Sequence, residues 1–326
     1  DPHLIELQKE FNKQIWTHKN PYTGLAYKDD PVIVLSEIVN ENDLFTSGHM
    51  KDLVEPYRTQ LEKRFLAWAR EKGRPAPATP VSFSTATPDL YAFLGELQKE
   101  YYVDMIEHLR KLGVKIPITG TNWASGGVPL LDAQMVTDFT DSHTYWYDWT
   151  WKVAEKKFKN QSILGERNPL YRSLTTFRVL DKPFFVSEWD HPWPNEWRAE
   201  SPLSMAAVAC LQGWSGVTIH TYRYDCRENV DQIAAPITGD ALAGVPYRSG
   251  VFATFNDPAK IALFYHAALM VRRGDVREPK EATEVVVTGM CQDSKTPPLK
   301  EMVNLTHITA AHGAAELRKI GMRLPG

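Results

Sequence analysis

Apolar residues recur along this chain with two different periods, and blocks of the two kinds alternate. Leu4, Ile5, Leu7, Phe11, Ile15 and Trp16 fall at helical spacing behind Asp1-Pro2, a capping residue with proline at the first helical position. Asn20-Pro21 and Gly24 break that stripe. Pro31-Val32-Ile33-Val34-Leu35 then opens a strand running to about Asn40, too apolar to be exposed on either face, as parallel barrel strands are. A second helical stripe occupies residues 50–72 (Leu53, Val54, Tyr57, Leu61, Phe65, Trp68), and the stretch GRPAPATP ends it. Pro88-Asp89 starts a long helix with Leu90, Phe93, Leu94, Leu97, Tyr101, Met105, Ile106 and Leu109 on its apolar side. Gly113 stops it, and residues 114–121 read as the next strand. Helix, glycine, strand is the αβ turn of a βα repeat. Further strands are expected at 135–143, 184–188 and 216–220, and helices at 206–211 and 257–272. A weak strand at 285–287 and a helix around 301–320 complete the pattern.

This alternation predicts an α/β fold of the (β/α)8 (TIM) barrel type. About five barrel strands are visible, whereas a closed barrel needs eight and about 250 residues. The first visible strand already ends on a glutamate with a catalytic look, so the missing part is expected ahead of residue 1. Residues 1–275 read as a partial barrel catalytic domain with a helical insertion at about 44–88, and 276–326 as a C-terminal extension.

Composition narrows the function by exclusion. A net charge of −3 leaves no electrostatic footprint for nucleic acid or an anionic membrane. No apolar run approaches the ~18 residues of a membrane span. The three cysteines have no metal-ligand spacing, and their odd number argues against a disulfide framework. Ten Trp and thirteen Tyr are many for 326 residues, and several flank glutamates. Aromatic faces stack on sugar rings, although core packing can also account for most of them.

Two strands deliver a carboxylate at their C-terminal tips, the place where barrel enzymes build their sites. VIVLSEIVN ends on Asn40-Glu41, and PFFVSEW carries Glu188. Paired carboxylates are the chemistry of glycoside hydrolysis, in which one acts as acid and base and the other as nucleophile. Asn40 can serve the sugar 2-hydroxyl. The competing readings are a solvated strand end for Asn40-Glu41, and a salt bridge or a metal site with Asp190 and His191 for Glu188. Neighbours on a strand point to opposite faces, so that metal trio converges poorly, and no metal or cofactor is expected. His143-Thr-Tyr145 places two rings on one side of a strand end, where a tyrosine hydroxyl can aim a carboxylate; a satisfied core pair is the alternative. Trp123, Trp146, Trp189, His191 and Trp193 are candidates to line a sugar subsite, as are His220 and Tyr222 at the last strand. No phosphate-cradling glycine loop, nucleophile elbow or zinc motif occurs.

In order and type, Asn40-Glu41, His143-x-Tyr145 and Glu188 resemble the clan of retaining β-glycosidases built on (β/α)8 barrels, which includes the cellulase-like and mannanase-like families. NPYTGLAYKDDP and SEWDHPWPNEWRAE are similar to bacterial cellulase-like members, and the resemblance spans residues 1–275. It implies that the visible strands are four to eight, with Glu41 as acid/base on strand four and Glu188 as nucleophile on strand seven. It implies a β-linked oligo- or polysaccharide as substrate and no cofactor. Many members end strand eight with a tryptophan, where this chain has His220 and Tyr222. An incomplete barrel exposes sheet edges and an apolar face, so a homo-oligomer covering the open side, or an N-terminal partner fragment, is expected. Secretion or a periplasmic location is usual for enzymes that meet polymeric glycans, but no residue here fixes the compartment.

Overall fold

The computed structural model describes residues 1–45, 53–84, 87–122, 127–146, 160–164, 174, 175, 177–193, 195–223, 252–255, 257–287 and 319–324. The chain divides into two compact units, one built mainly on Asp1–Asp141 and the other on Ser142–Val285 with Ile320–Arg323.

In the first unit, helix α1 (Pro2–Thr17) is capped as expected, with the Asp1 carboxylate accepting from the His3 and Leu4 N–H groups. Its apolar stripe is not buried as a whole. Trp16 is, but Leu4, Leu7 and Phe11 are 49%, 53% and 59% exposed. Leu4 and Ile5 line an open groove of about 990 Å³ with Leu44, Leu53, Leu61 and Leu97. Helices α2 (Tyr57–Glu71) and α3 (Pro88–Lys111) close a core in which Phe65 meets Trp68 at 5.9 Å and Phe93 at 5.2 Å. Thr87 caps α3, and Gly113 leaves it at φ 93°, a conformation that costs glycine little.

Strand β1 (Ser36–Glu37) pairs in parallel with β2 (Ile118–Thr119). Both are much shorter than the apolar runs containing them, and the expectation that Pro31-to-Leu35 is covered on both faces fails. Val32 is 83% and Val34 64% exposed. The reason lies across the ladder. Pairing starts where the Ser36 N–H meets the Pro117 carbonyl, and proline has no N–H with which to extend it toward Leu35. Beyond β2 the fully buried Tyr102 ring fills the space over Gly120, where a Cβ would lie 2.4 Å from Tyr102 Cζ.

The second unit holds a sheet in the order β3 (Thr140–Tyr145), β4 (Phe184–Asp190), β5 (Gly216–Ile219), with β4 and β5 parallel. The strand expected at 135–143 starts later. Its first part is a 3-10 turn, Gln134–Val136, closed by the Thr137 hydroxyl donating to the Gln134 carbonyl at 2.7 Å. Helix α4 (Gly127–Ala133) precedes that turn. Helix α5 (Ser201–Gln212) ends on Gly213 at φ 65° and packs against α6 (Pro258–Arg273). Strands β6 (Thr283–Val286) and β7 (Ile320–Arg323) form a separate pair. The helix expected around 301–320 lies outside the described residues except at its end, where Ile320 opens β7 instead. No described helix is long and apolar enough to cross a membrane.

Candidate active site

The first unit presents Asn40 and Glu41 in the turn that follows β1. Glu41 sits at φ 47°, the left-handed region that L-residues with side chains occupy at a cost of about 1–2 kcal/mol. Asn122, almost wholly buried just past β2, holds this geometry. Its Oδ1 accepts the Glu41 N–H at 2.9 Å, while its Nδ2 donates to Glu37 Oε2 at 2.9 Å and to Asn40 Oδ1 at 2.8 Å. One amide thus uses three of its four bonding positions to fix one loop. Because Asn40 Oδ1 is the acceptor in this network, its own NH₂ is the end left to donate, and Asn40 is exposed. Sequence reasoning stopped at Trp123 and passed over Asn122. The signal was there, an amide directly after a buried strand end. Trp123 itself lies outside the described residues.

The second unit centres on Glu188 in β4. The Tyr145 hydroxyl donates to Glu188 Oε2, and the same oxygen has His143 Nδ1 at 3.5 Å and His220 Nδ1 at 3.8 Å. The other nitrogen of His143 is 2.9 Å from Ser187 Oγ, so its ring is held at both ends. Tyr145 and His220 share a second support that the sequence did not announce. The Phe252 ring lies 5.0 Å from the first and 5.5 Å from the second. All three of these contacts fall on Oε2 rather than on Oε1. The strand presents Glu188 through an irregularity: Val186 pairs with Val217 but Trp189 with Ile219, so three steps on β4 match two on β5. Such a bulge re-aims the side chains within it, and here it spans Ser187 and Glu188.

Three residues proposed from sequence as subsite walls are packed inside instead. Trp146 and Trp189 are 2% and 3% exposed and His191 is 1% exposed. The Trp146 indole donates to the Gln161 carbonyl at 3.0 Å, and Trp189 lies against Phe264 of α6 at 6.3 Å. Trp189 follows Glu188 directly on a strand, which turns the two side chains to opposite sides. Trp193 is half-buried, His220 is partly open, and Tyr222 is 63% exposed with its ring edge toward Phe255. Asp190 faces Lys260 at 2.7 Å, which occupies the carboxylate that the metal reading needed.

Burial shifts two neighbours in opposite senses. It pushes Asp190 up to about 6, against the pull of Lys260, and His191 down to about 4. His191 is a base with a depressed folded value, so its contribution is complete above its unfolded value near 6.5 and is lost as pH falls toward 4. Asp190 has a raised folded value, so its contribution is complete below its unfolded value of 3.8 and is lost as pH rises to about 6. Between pH 6 and 4 the two slopes oppose each other. His191→Gln removes one of them. The variant is therefore expected to gain on the wild type by about 3 kcal/mol between pH 7 and pH 4, at ~1.4 kcal/mol per unit. Denaturant titrations at the two pH values measure this, and an unchanged difference refutes the assignment.

No family model and no curated protein matches this chain. Solved structures do. The endo-β-1,4-mannanase from Thermotoga petrophila aligns with a TM-score of 0.51 at 15% identity, over 87% of this chain and 56% of that one. A glycoside hydrolase family 5 mannosidase from Rhizomucor miehei aligns at 14% identity with a TM-score of 0.46, over 84% of this chain and 60% of that one. A mutant of that mannosidase in complex with mannosyl-fructose gives 15% and 0.47, over 85% and 60%. The mannanase likeness establishes the fold. This chain is of the (β/α)8-barrel type, and it spans 56% of the mannanase's length.

Proposed function

We propose that this chain carries the catalytic glutamates of a retaining glycoside hydrolase acting on β-linked glycans. Glu188 is the nucleophile and Glu41 the acid/base. The observation that carries the reading is the setting of Glu188: a strand-end carboxylate on a bulge, engaged on one oxygen by Tyr145 and flanked by His143 and His220. Oε1 attacks the anomeric carbon while the acid protonates the leaving oxygen. Water, activated by the same acid/base residue, then releases the sugar. Asn40, exposed with its NH₂ as donor, is placed to bond the 2-hydroxyl, a contact that strengthens in the transition state. His220 and Tyr222 border the subsite, with Trp123 and Trp193 as further candidates. Retention requires the Glu41 and Glu188 carboxyl groups to stand about 5 Å apart; inversion needs about 6.5–9.5 Å.

A mannanase is among the structural neighbours, so β-mannan belongs in the substrate panel beside β-glucans and aryl β-glycosides. Proton NMR of the first product formed is expected to show the β-anomer. Initial α-product, or no hydrolysis of any β-linked substrate, refutes the reading.

A second reading is favoured by one observation. Val32, Val34, Leu7 and Phe11 are large apolar residues that stand exposed on the first unit. This suits a half-barrel that works only when assembled, with a homo-oligomer covering that side, or a weakly active relative that still binds sugar. A native particle with a mass at a multiple of 37.1 kDa supports assembly, and a monomer that turns over at full rate excludes it.

A further inference from the structure

Two residues past Glu188, the second unit buries charges that the double displacement does not use. Lys260 and Asp190 pair at 2.7 Å with both side chains wholly buried, and the wholly buried Asp257 pairs with Arg198 at 2.6 Å. A buried ion pair is a poor way to stabilise a fold, because apolar residues of similar volume do as well or better. Its better-attested use is to fix a register.

Here there is a register to fix. The bulge leaves Ser187 and Glu188 between two paired positions, Val186 opposite Val217 and Trp189 opposite Ile219. Beyond the bulge, β4 is held through Asp190. The Trp189 carbonyl accepts the His220 N–H at 3.0 Å, and the Asp190 carbonyl accepts the Trp146 N–H at 2.9 Å. Asp190 Oδ1 takes both the Lys260 ammonium at 2.7 Å and the His191 N–H at 2.8 Å. Lys260 stands in the first turn of α6, three residues after Asp257, whose carbonyl accepts the Lys260 N–H at 3.1 Å. The strand end is thus tied to a helix start that is itself tied to Arg198.

We propose that the buried Asp190–Lys260 pair positions Glu188, pinning the end of β4 to α6 so that the bulge presents the carboxylate to Tyr145 and His143. Lys260 touches no substrate. It acts through Asp190 on the strand that carries the nucleophile. This rests on the reading of Glu188 as nucleophile and extends it to residues outside the site.

The test separates position from stability. Lys260→Met or Asp190→Asn alone breaks the buried ion pair from one side and is expected to lower the melting temperature. The double variant Asp190→Asn/Lys260→Met restores a neutral interior and is expected to melt near the wild type. Its kcat on an aryl β-glycoside should nevertheless stay about 10²-fold down, the cost of a misplacement near 1 Å, with KM within about threefold. In a crystal structure of the double variant, the Glu188 carboxylate should have left the Tyr145 hydroxyl. Recovery of kcat together with stability, or Glu188 still bonded to Tyr145, overturns the proposal. If the wild type hydrolyses nothing, the nucleophile reading fails, while the position of Glu188 in the variant crystal still decides whether the pair sets it. If the double variant does not fold, the same crystal comparison on Asp190→Asn, the isosteric change, decides in the same way.

Discussion

Glu188→Ala is expected to lower turnover of aryl β-glycosides by roughly 10⁴-fold or more, the scale seen when a nucleophile is deleted from a preorganised site. The loss of stability should be small by comparison. Glu188 is 23% exposed in its side chain, so its removal leaves the Tyr145 hydroxyl short of an acceptor at a place that water can reach. An unsatisfied hydroxyl costs about 1–3 kcal/mol when buried, and less beside solvent. The ratio of the two effects decides between readings. An enzyme loses its rate and keeps its melting temperature within a few degrees, while binding of an unreacted oligosaccharide persists. A pure binding module shows no rate to lose and unchanged affinity. Calorimetric titration and initial rates on the same preparation measure both, and a variant retaining even a tenth of wild-type turnover removes Glu188 from the mechanism.

The strands that matter were legible because parallel barrel strands are runs of β-branched residues that little else resembles. Phe184-Phe185-Val186 and Val217-Thr218-Ile219 announced themselves on that ground, whereas Val32-Ile33-Val34 has the same composition and lies ahead of β1 rather than in it. Their extents were not legible, since a ladder needs a partner with a free N–H, and Pro117 limits β1 from across the sheet. Burial was the weaker inference. The stripe on α1 has helical spacing, yet Leu7 and Phe11 are mostly exposed, because periodicity reports a helix face and not what covers it. The helix cap fared better: Asp1 acts within three residues of itself.

The site divides along the same line. Glu188, Tyr145 and His143 were expected side by side because strand alternation and strand ends are local properties, and they do stand together. Trp189, Trp146 and His191 were over-read through mere proximity to a glutamate, although alternation already turned Trp189 away. Asn122 and Phe252 were missed. Each matters through partners 81 or more positions away, Glu41 for the one and Tyr145 for the other; Asn122 at least stood directly after a strand end, whereas nothing local marked Phe252. The Lys260–Asp190 pair belongs to the same class, joining residues 70 positions apart.

Glu41→Gly is expected to make the protein more stable and the enzyme worse. The backbone at Glu41 stands at φ 47°, where glycine is at home and glutamate is strained. Asn122 holds it there through a backbone N–H that glycine retains. Relief of that strain is worth about 1 kcal/mol or somewhat less after the added freedom of the unfolded glycine chain is counted. Activity should move the other way. Loss of the acid/base removes about 10²–10⁴-fold from kcat/KM for substrates with poor leaving groups. Substrates with dinitrophenyl leaving groups need no proton to depart, so their glycosylation step should survive and the glycosyl-enzyme should accumulate on Glu188. Azide, a nucleophile that needs no general base, should then restore turnover and yield a β-glycosyl azide. Strain tolerated at one residue and released by the substitution that disables it marks a position kept for chemistry. A Glu41→Gly protein that is less stable, or that hydrolyses unactivated glycans at the wild-type rate without azide, would show that the turn after β1 has another purpose.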